Sequence, residues 1–342
     1  MHQLKLSVLI VGYGKIGKIK ALIWKECGAK VFISDIAKEG LHRAQEDGFD
    51  IENSPYYTVF DFVDICTPSS THIEVLRRII SEGVKFNRVV IEKPLFNNLQ
   101  QKKILYKLLE NDNSLNERII VNEQYHKSKV IKCLQEKISK KKIKRIQITM
   151  SKNRNADNKS GRFIDNDIGA YGIELPHILA ILDMLDKPIY PMKLLKNNLY
   201  MDSNDKNNQG IYIEYVTKFD TAVIINSFLG DFKISPENEI SNNIFTDRSL
   251  VIEGEGFKYS IIMDPHPTNE RLYAELDFGK ESILIHDDML RNVISNIISN
   301  NIADGCKLAY AIKQSEQAIL LFNSANIIQV QKEDNYVYNY QQ

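Results

Sequence analysis

A chain of 342 residues is too long for one small module and long enough for two domains with separate cores. Lys+Arg and Asp+Glu both number 44, so no net charge draws the chain toward nucleic acid or an anionic membrane surface. Hydrophobic residues at 43% and charged residues at 26% are ordinary globular usage, which excludes a disordered or fibrous chain.

In chain order, short Val/Ile-rich runs at Leu6 to Val11, Val31 to Ser34, Phe62 to Cys66, Arg88 to Ile91 and Ile119 to Val121 read as strands buried on both faces. Between them, Ile16 to Glu26, Ala37 to Asp47, His72 to Gly83 and Leu99 to Leu109 carry helical periodicity with charged outer faces. This alternation predicts a doubly wound parallel sheet over residues 1–122. Beyond the lysine run that begins at Lys137, apolar and polar residues alternate in Ile143 to Met150, Ile211 to Phe219, Thr221 to Phe228, Leu250 to Ile252 and Phe257 to Ile262. Residues 123–342 therefore read as an α+β domain with a mostly antiparallel, open-faced sheet, a helix from Ala170 to Leu185 across it, and closing helices at Asp287 to Asn300 and Lys307 to Ala325. The segments 151–166 and 201–210 are dense in Asn, Asp, Lys and Ser and read as loops.

The four cysteines, Cys27, Cys66, Cys133 and Cys306, are far apart, and no Cys/His cluster has metal-ligand spacing, so reduced thiols and no metal are expected. The apolar stretch ending at Val11 is much shorter than the ~20 residues of a membrane span and has no cleavage-site pattern, which makes the cytoplasm the expected compartment.

Gly12-Tyr13-Gly14-Lys15-Ile16-Gly17 follows the first strand and opens the first helix. In that context the glycines permit a tight turn, the approach of a pyrophosphate to backbone amides, and close packing of helix on strand. Asp35, at the end of the second strand, is placed to accept hydrogen bonds from an adenosine ribose and to repel a 2′-phosphate, which favours NAD; nearby Lys38 keeps NADP open. Thr67 and Pro68, with His72 shortly after, and Glu92, Lys93 and Pro94 stand at the ends of the next two strands, along the edge where a nicotinamide would lie.

Together with Asp167-Ile168-Gly169-Ala170-Tyr171, these landmarks resemble the Gfo/Idh/MocA oxidoreductases, and the similarity runs over nearly the whole chain. The resemblance implies a Rossmann domain, a second α/β domain whose open sheet makes homo-oligomer contacts, and chemistry on sugars, sugar nucleotides or cyclitols. Many members carry Asp-x-Gly-x-His-x-x-Asp, whereas here Tyr171 and Glu174 occupy the later positions, as in the branch that uses a tyrosine for proton transfer.

Read as chemistry, hydride transfer to or from a carbinol carbon needs a group that moves the hydroxyl proton. Tyr171 serves if the Lys93 ammonium favours its phenolate, and Lys93 can also bond the developing alkoxide. Asp167, four residues before Tyr171, would orient the substrate hydroxyl or Lys93. His177 is the competing acid/base, but counted along one helix it falls about 120° off the Tyr171 face. Arg162, Glu174 and His177 are expected to contact the substrate. The alternatives are a catalytically silent dinucleotide sensor on the same scaffold and an imine or enone reductase.

Overall fold

The computed structural model describes residues 6–52, 58–159, 167–187, 192–235, 240–243, 246–263, 272–333 and 336–340. It divides into two compact units: Met1–Glu123 with Leu290–Glu316, and Gln124–Met289 with Gln317–Gln342.

The first unit is a βα alternation: β1 (Ser7–Val11), α1 (Lys15–Glu26), β2 (Lys30–Ser34), α2 (Lys38–Glu46), β3 (Asp50–Ile51), β4 (Val59–Ile65), α3 (His72–Ser81), β5 (Lys85–Glu92), α4 (Leu99–Asn111), α5 (Leu115–Arg118) and β6 (Ile119–Asn122). Its six strands pair in the order β3-β2-β1-β4-β5-β6, all parallel. The chain leaves β1 toward β2 and returns to β4 on the other side, so the sheet has its switch point between the carboxyl ends of β1 and β4. Helix α1 explains its own docking: Gly17, Ala21 and Trp24 recur at helical spacing along its buried face. Those residues share a core with Ile10, Ile33, Phe62 and Val90 of the sheet, and with Val293, Ile294 and Ile297.

In the second unit come α6 (Lys129–Ile138), β7 (Ile143–Ser151), α7 (Asn155–Lys159), α8 (Ala170–Ile173), α9 (Leu175–Met184), β8 (Met192–Asp202), β9 (Gln209–Thr217), β10 (Ala222–Phe228), β11 (Phe232–Ile234), β12 (Ile240–Asn242), β13 (Asp247–Gly254), β14 (Phe257–Ile262), β15 (Tyr273–Asp277) and β16 (Ser282–His286). After α10 (Met289–Ile298) and α11 (Leu308–Asn323), β17 (Asn326–Glu333) and β18 (Tyr336–Tyr340) complete a ten-stranded sheet in the order β16-β15-β14-β13-β7-β10-β9-β8-β17-β18. Only β7 with β10 and β8 with β17 run parallel, so the sheet is mixed and mostly antiparallel, as the alternating pattern predicts. Tyr212, Ile224 and Phe228 form an apolar cluster with Phe232 and Ile234 of β11.

Three expectations change. Residues 290–316 join the first unit, because the apolar side of α10 completes the core behind α1. The helix expected from Ala170 to Leu185 is two helices, broken at Glu174, which serves as the N-cap residue of α9. Pro176 therefore sits in the first turn of α9, where a missing N–H costs nothing, and kinks no helix. Finally, the expected loop 151–166 contains the short helix α7, whereas the expected loop 201–210 does connect β8 to β9.

Candidate active site

The glycine turn is built at the end of β1. Gly12 has φ +97°, and a Cβ there would lie 3.0 Å from Thr67 Cγ2 and 3.1 Å from the Cys66 carbonyl. A Cβ on Gly17 would come within 2.0 Å of the Gly12 carbonyl oxygen, so α1 reaches the turn only without a side chain. Gly14 is different: a Cβ on it would meet no atom within 4 Å. It is also the N-cap of α1 and provides no side-chain cap, which leaves the first amides of a 12-residue helix for an anion. This open cradle under a helix N-terminus fits a dinucleotide pyrophosphate. Lys15 is exposed beside it, while Ile16 packs against the core.

Asp35 braces the turn. Its Oδ2 accepts the Tyr13 amide at 2.5 Å and its Oδ1 the Ala37 amide at 2.8 Å, and a Cβ on Gly40 would lie 2.9 Å from this carboxylate. The Tyr13 side chain is not available to a cofactor. It is buried, its hydroxyl donates to Asp47 at 2.8 Å, and burial with the Asp47 charge pushes its ionisation well up.

At the ends of β4 and β5, Thr67 is half-buried, Pro68 exposed and Lys93 half-buried. His72 lies between these two segments, with Nδ1 2.9 Å from the Pro94 carbonyl and Nε2 2.9 Å from that of Thr67.

Glu92 turns inward instead of toward the cofactor edge, which corrects its assignment as a cofactor ligand. Its Oε1 accepts from Lys20 Nζ at 2.8 Å and from Asn122 Nδ2 at 2.5 Å. Lys20, fully buried, also donates to Asp64 Oδ1 at 2.6 Å, and Trp24 Nε1 donates to Asp64 Oδ2 at 2.8 Å. Burial pushes the Asp64 carboxyl up. Burial acts the same way on Glu92, but the Lys20 ammonium and its hydrogen bonds outweigh it and hold that carboxyl down. The sequence reading assigned Lys20 no role. The signal was present, since Lys20 falls in the stripe Gly17, Ala21, Trp24, where a solvated lysine has no place.

The second unit overturns the reading of Tyr171 as a phenolate. The side chain is fully buried, its hydroxyl donates to Asn197 Oδ1 at 2.7 Å, and its ring meets Phe322 edge-on. Asn197 in turn donates to the Leu321 carbonyl at 2.7 Å and to Ser324 Oγ at 3.2 Å. Burial drives the phenol's ionisation far up, the opposite of what a proton acceptor needs. Asp167 is exposed and precedes the first turn of α8, whose N-cap is Gly169 with φ +50°, so the expected helical four-residue relation to Tyr171 does not form. Glu174 is buried in an ion pair with Arg154, which corrects its reading as a substrate contact. His177 lies in the first turn of α9, 7% exposed, its ring 5.0 Å from that of Tyr125. It belongs to α9 and Tyr171 to α8, so the turn count along one helix does not relate them. Arg162 lies outside the described residues. Among the described residues no group of His, Cys, Asp or Glu is placed to hold a metal ion, and no helix is long and apolar enough to cross a membrane.

Residues 6–115 match the model of the Gfo/Idh/MocA oxidoreductase family, NAD-binding Rossmann fold. The first unit belongs to this family. It is thus an NAD(P)-binding oxidoreductase domain, in keeping with the glycine cradle. A search of the curated proteins finds no match. Solved structures resemble the chain over most of its length. A dehydrogenase (MviM) from Clostridium difficile is 15% identical, covering 94% of this chain and 99% of that one with a TM-score of 0.66. The UDP-N-acetylglucosamine 3-dehydrogenase GnnA from Acidithiobacillus ferrooxidans is 14% identical, covering 94% and 98% with a TM-score of 0.65. A 3-ketoreductase from Actinomadura kijaniata, solved with NADP, is 13% identical, covering 96% and 100% with a TM-score of 0.68. At such identities the likeness is one of fold, and it covers both units.

Proposed function

We propose that the protein transfers a hydride between a nicotinamide dinucleotide and a secondary alcohol or ketone of a sugar, sugar nucleotide or cyclitol. The observation that carries this reading is the shared edge of the first sheet: the open Gly14 cradle, Thr67 against Gly12, and Lys93-Pro94 tied to Thr67 through His72. A UDP-N-acetylglucosamine 3-dehydrogenase among the structural neighbours supports a sugar nucleotide as the substrate class, and a 3-ketoreductase supports a ketone as the group reduced. Asp35 favours NAD, because a 2′-phosphate would meet its carboxylate.

When bound, the nicotinamide supplies or accepts the hydride. The chain must then stabilise charge on the substrate oxygen and move one proton. Lys93 is assigned the first task, as a cationic donor to the developing alkoxide. With Tyr171 committed to Asn197, the proton falls to His177, the remaining candidate, since an imidazole both takes and returns a proton near neutral pH. Asp167 is assigned to orient the substrate hydroxyl.

A screen of sugars, sugar phosphates, nucleotide sugars and cyclitols with NAD and NADP, followed by nicotinamide absorbance, tests the reading. Lys93→Met and His177→Asn should each lower turnover by about 10²- to 10⁴-fold with cofactor affinity retained. Wild-type rates in either variant remove that residue from the mechanism.

A further inference from the structure

His72 is the first residue of α3 and is 1% exposed. Both ring nitrogens face carbonyl oxygens at 2.9 Å, Pro94 on one side and Thr67 on the other. A carbonyl only accepts, and a neutral imidazole carries one N–H, so it can bond one of the two and must turn a lone pair toward the other. The imidazolium donates to both. The geometry points to His72 as a positioning residue that ties the segment after β4 to the segment after β5, with its charged form the one that holds both at once.

Gln101 makes a second, uncharged link between the two segments: its Oε1 accepts from the Asn97 amide at 3.4 Å while its Nε2 reaches the turn after β4. The Ser69 and Ser70 carbonyls accept from Gln101 Nε2 at 3.3 and 2.6 Å, and Thr71 Oγ1 donates to the Pro68 carbonyl at 2.7 Å. Those bonds fix the 67–71 turn to itself, to α4 and to Asn97, whereas the imidazole bonds the segment after β5 at residue 94, next to Lys93. Pro94 adjoins Lys93, so the tie sets where the lysine side chain departs from the backbone. The charged groups acting on the ring are Glu92 of β5, which favours the cation, and Lys20 of α1, which opposes it; α4 presents the neutral Gln101. Burial, the largest influence, draws the ring's ionisation below its ordinary value, against the two carbonyls and Glu92. In the free protein near neutrality one tie is therefore weakened, and a cofactor that needs both segments in place recruits a proton as it binds.

This inference rests on the reading of that edge as the cofactor site. The test is calorimetric titration of the full chain with NADH and NADPH at pH 6 to 8.5, in buffers of different ionisation enthalpy. Wild type should take up a fraction of a proton on binding, and its affinity should tighten as pH falls, by about tenfold for each unit by which binding raises the His72 pKa. His72→Gln, which keeps one donor but cannot become charged, should bind with no linked proton; the exposed His42→Gln should behave as wild type. Equal proton uptake in wild type and His72→Gln would overturn the assignment while leaving the cofactor site standing. Failure of the wild type to bind either dinucleotide at any pH would remove the cofactor reading and this inference with it. Should His72→Gln not fold, ¹⁵N-histidine spectra of the wild type decide. Two protonated ring nitrogens at residue 72 in the complex at pH 6 support the clamp, and a single one there refutes it.

Discussion

Replacing Lys20 with methionine removes the cation from a buried cluster while keeping most of its volume. Asp64 and Glu92 would then face each other at the atoms that now accept from Nζ at 2.6 and 2.8 Å, without the ammonium between them. Breaking a buried ion pair in this way costs roughly 3–5 kcal/mol, because the orphaned charge keeps its desolvation penalty. For a unit of this size each kcal/mol lowers Tm by about 2–4 °C, so a fall of about 6–20 °C is expected. Trp24 is the chain's single tryptophan and donates directly to Asp64, so its fluorescence during urea or thermal unfolding reports on this unit alone. The deficit should depend on pH. In the variant a carboxyl escapes by taking a proton, so its folded-state pKa lies above its unfolded value; the resulting stability is present at low pH and lost as pH rises through the folded pKa. The gap from wild type should thus narrow between pH 8 and pH 5, and adding Asp64→Asn and Glu92→Gln should recover part of it. A deficit under about 1 kcal/mol, or one constant with pH, would refute the argument that Lys20 compensates buried charge.

Two glycines of one turn should respond oppositely. Gly14→Ala, with φ −77° and open space around its Cβ, should leave Tm unchanged within about 0.5 kcal/mol of stability and weaken NADH binding by about tenfold or more. Gly17→Ala should lose stability as well as binding, because its Cβ would collide with the Gly12 carbonyl; circular dichroism melts beside fluorescence titrations separate the two. Tyr171→Phe strands the buried Asn197 Oδ1, so a loss of about 1–3 kcal/mol is expected with turnover per folded molecule within a few-fold of wild type. A collapse of turnover at unchanged stability would return Tyr171 to the chemistry. Asp35→Ala should weaken binding of NAD more than of NADP, and equal losses would show that the carboxylate only braces the Tyr13 amide.

The first sheet was legible, β3 apart, because its strands are rich in apolar residues and its turn has glycines at 12 and 17, where only glycine fits. The position of Asp35 likewise follows from where β2 ends. What escaped were side chains whose role is set by partners distant in sequence. Glu92 reads as a cofactor ligand by its place at a strand end, yet Lys20, 72 positions earlier, draws it inward. Tyr171 and His177 were ranked by counting turns along one helix. The count fails because α8 ends at Ile173 and α9 begins at Leu175, and Pro176, which suits a first helical turn, was the one residue that marked the new start. Strands β3, β8, β11, β12 and β15 to β18 were missed; in β8, β16 and β17 the exposed Leu194, Leu195, Ile283, Leu284 and Ile327 blur the apolar–polar alternation.

The core behind α1 takes in Val293, Ile294 and Ile297, and so draws on the last sixth of the chain. Domains usually fold in the order they emerge during synthesis, but here the part of the first core that Val293, Ile294 and Ile297 fill stays open until about residue 300 has left the ribosome. Expression of residues 1–123 by themselves should yield a sticky, partly ordered fragment, and a circular permutant that brings 290–316 next to residue 6 should fold sooner than the natural order.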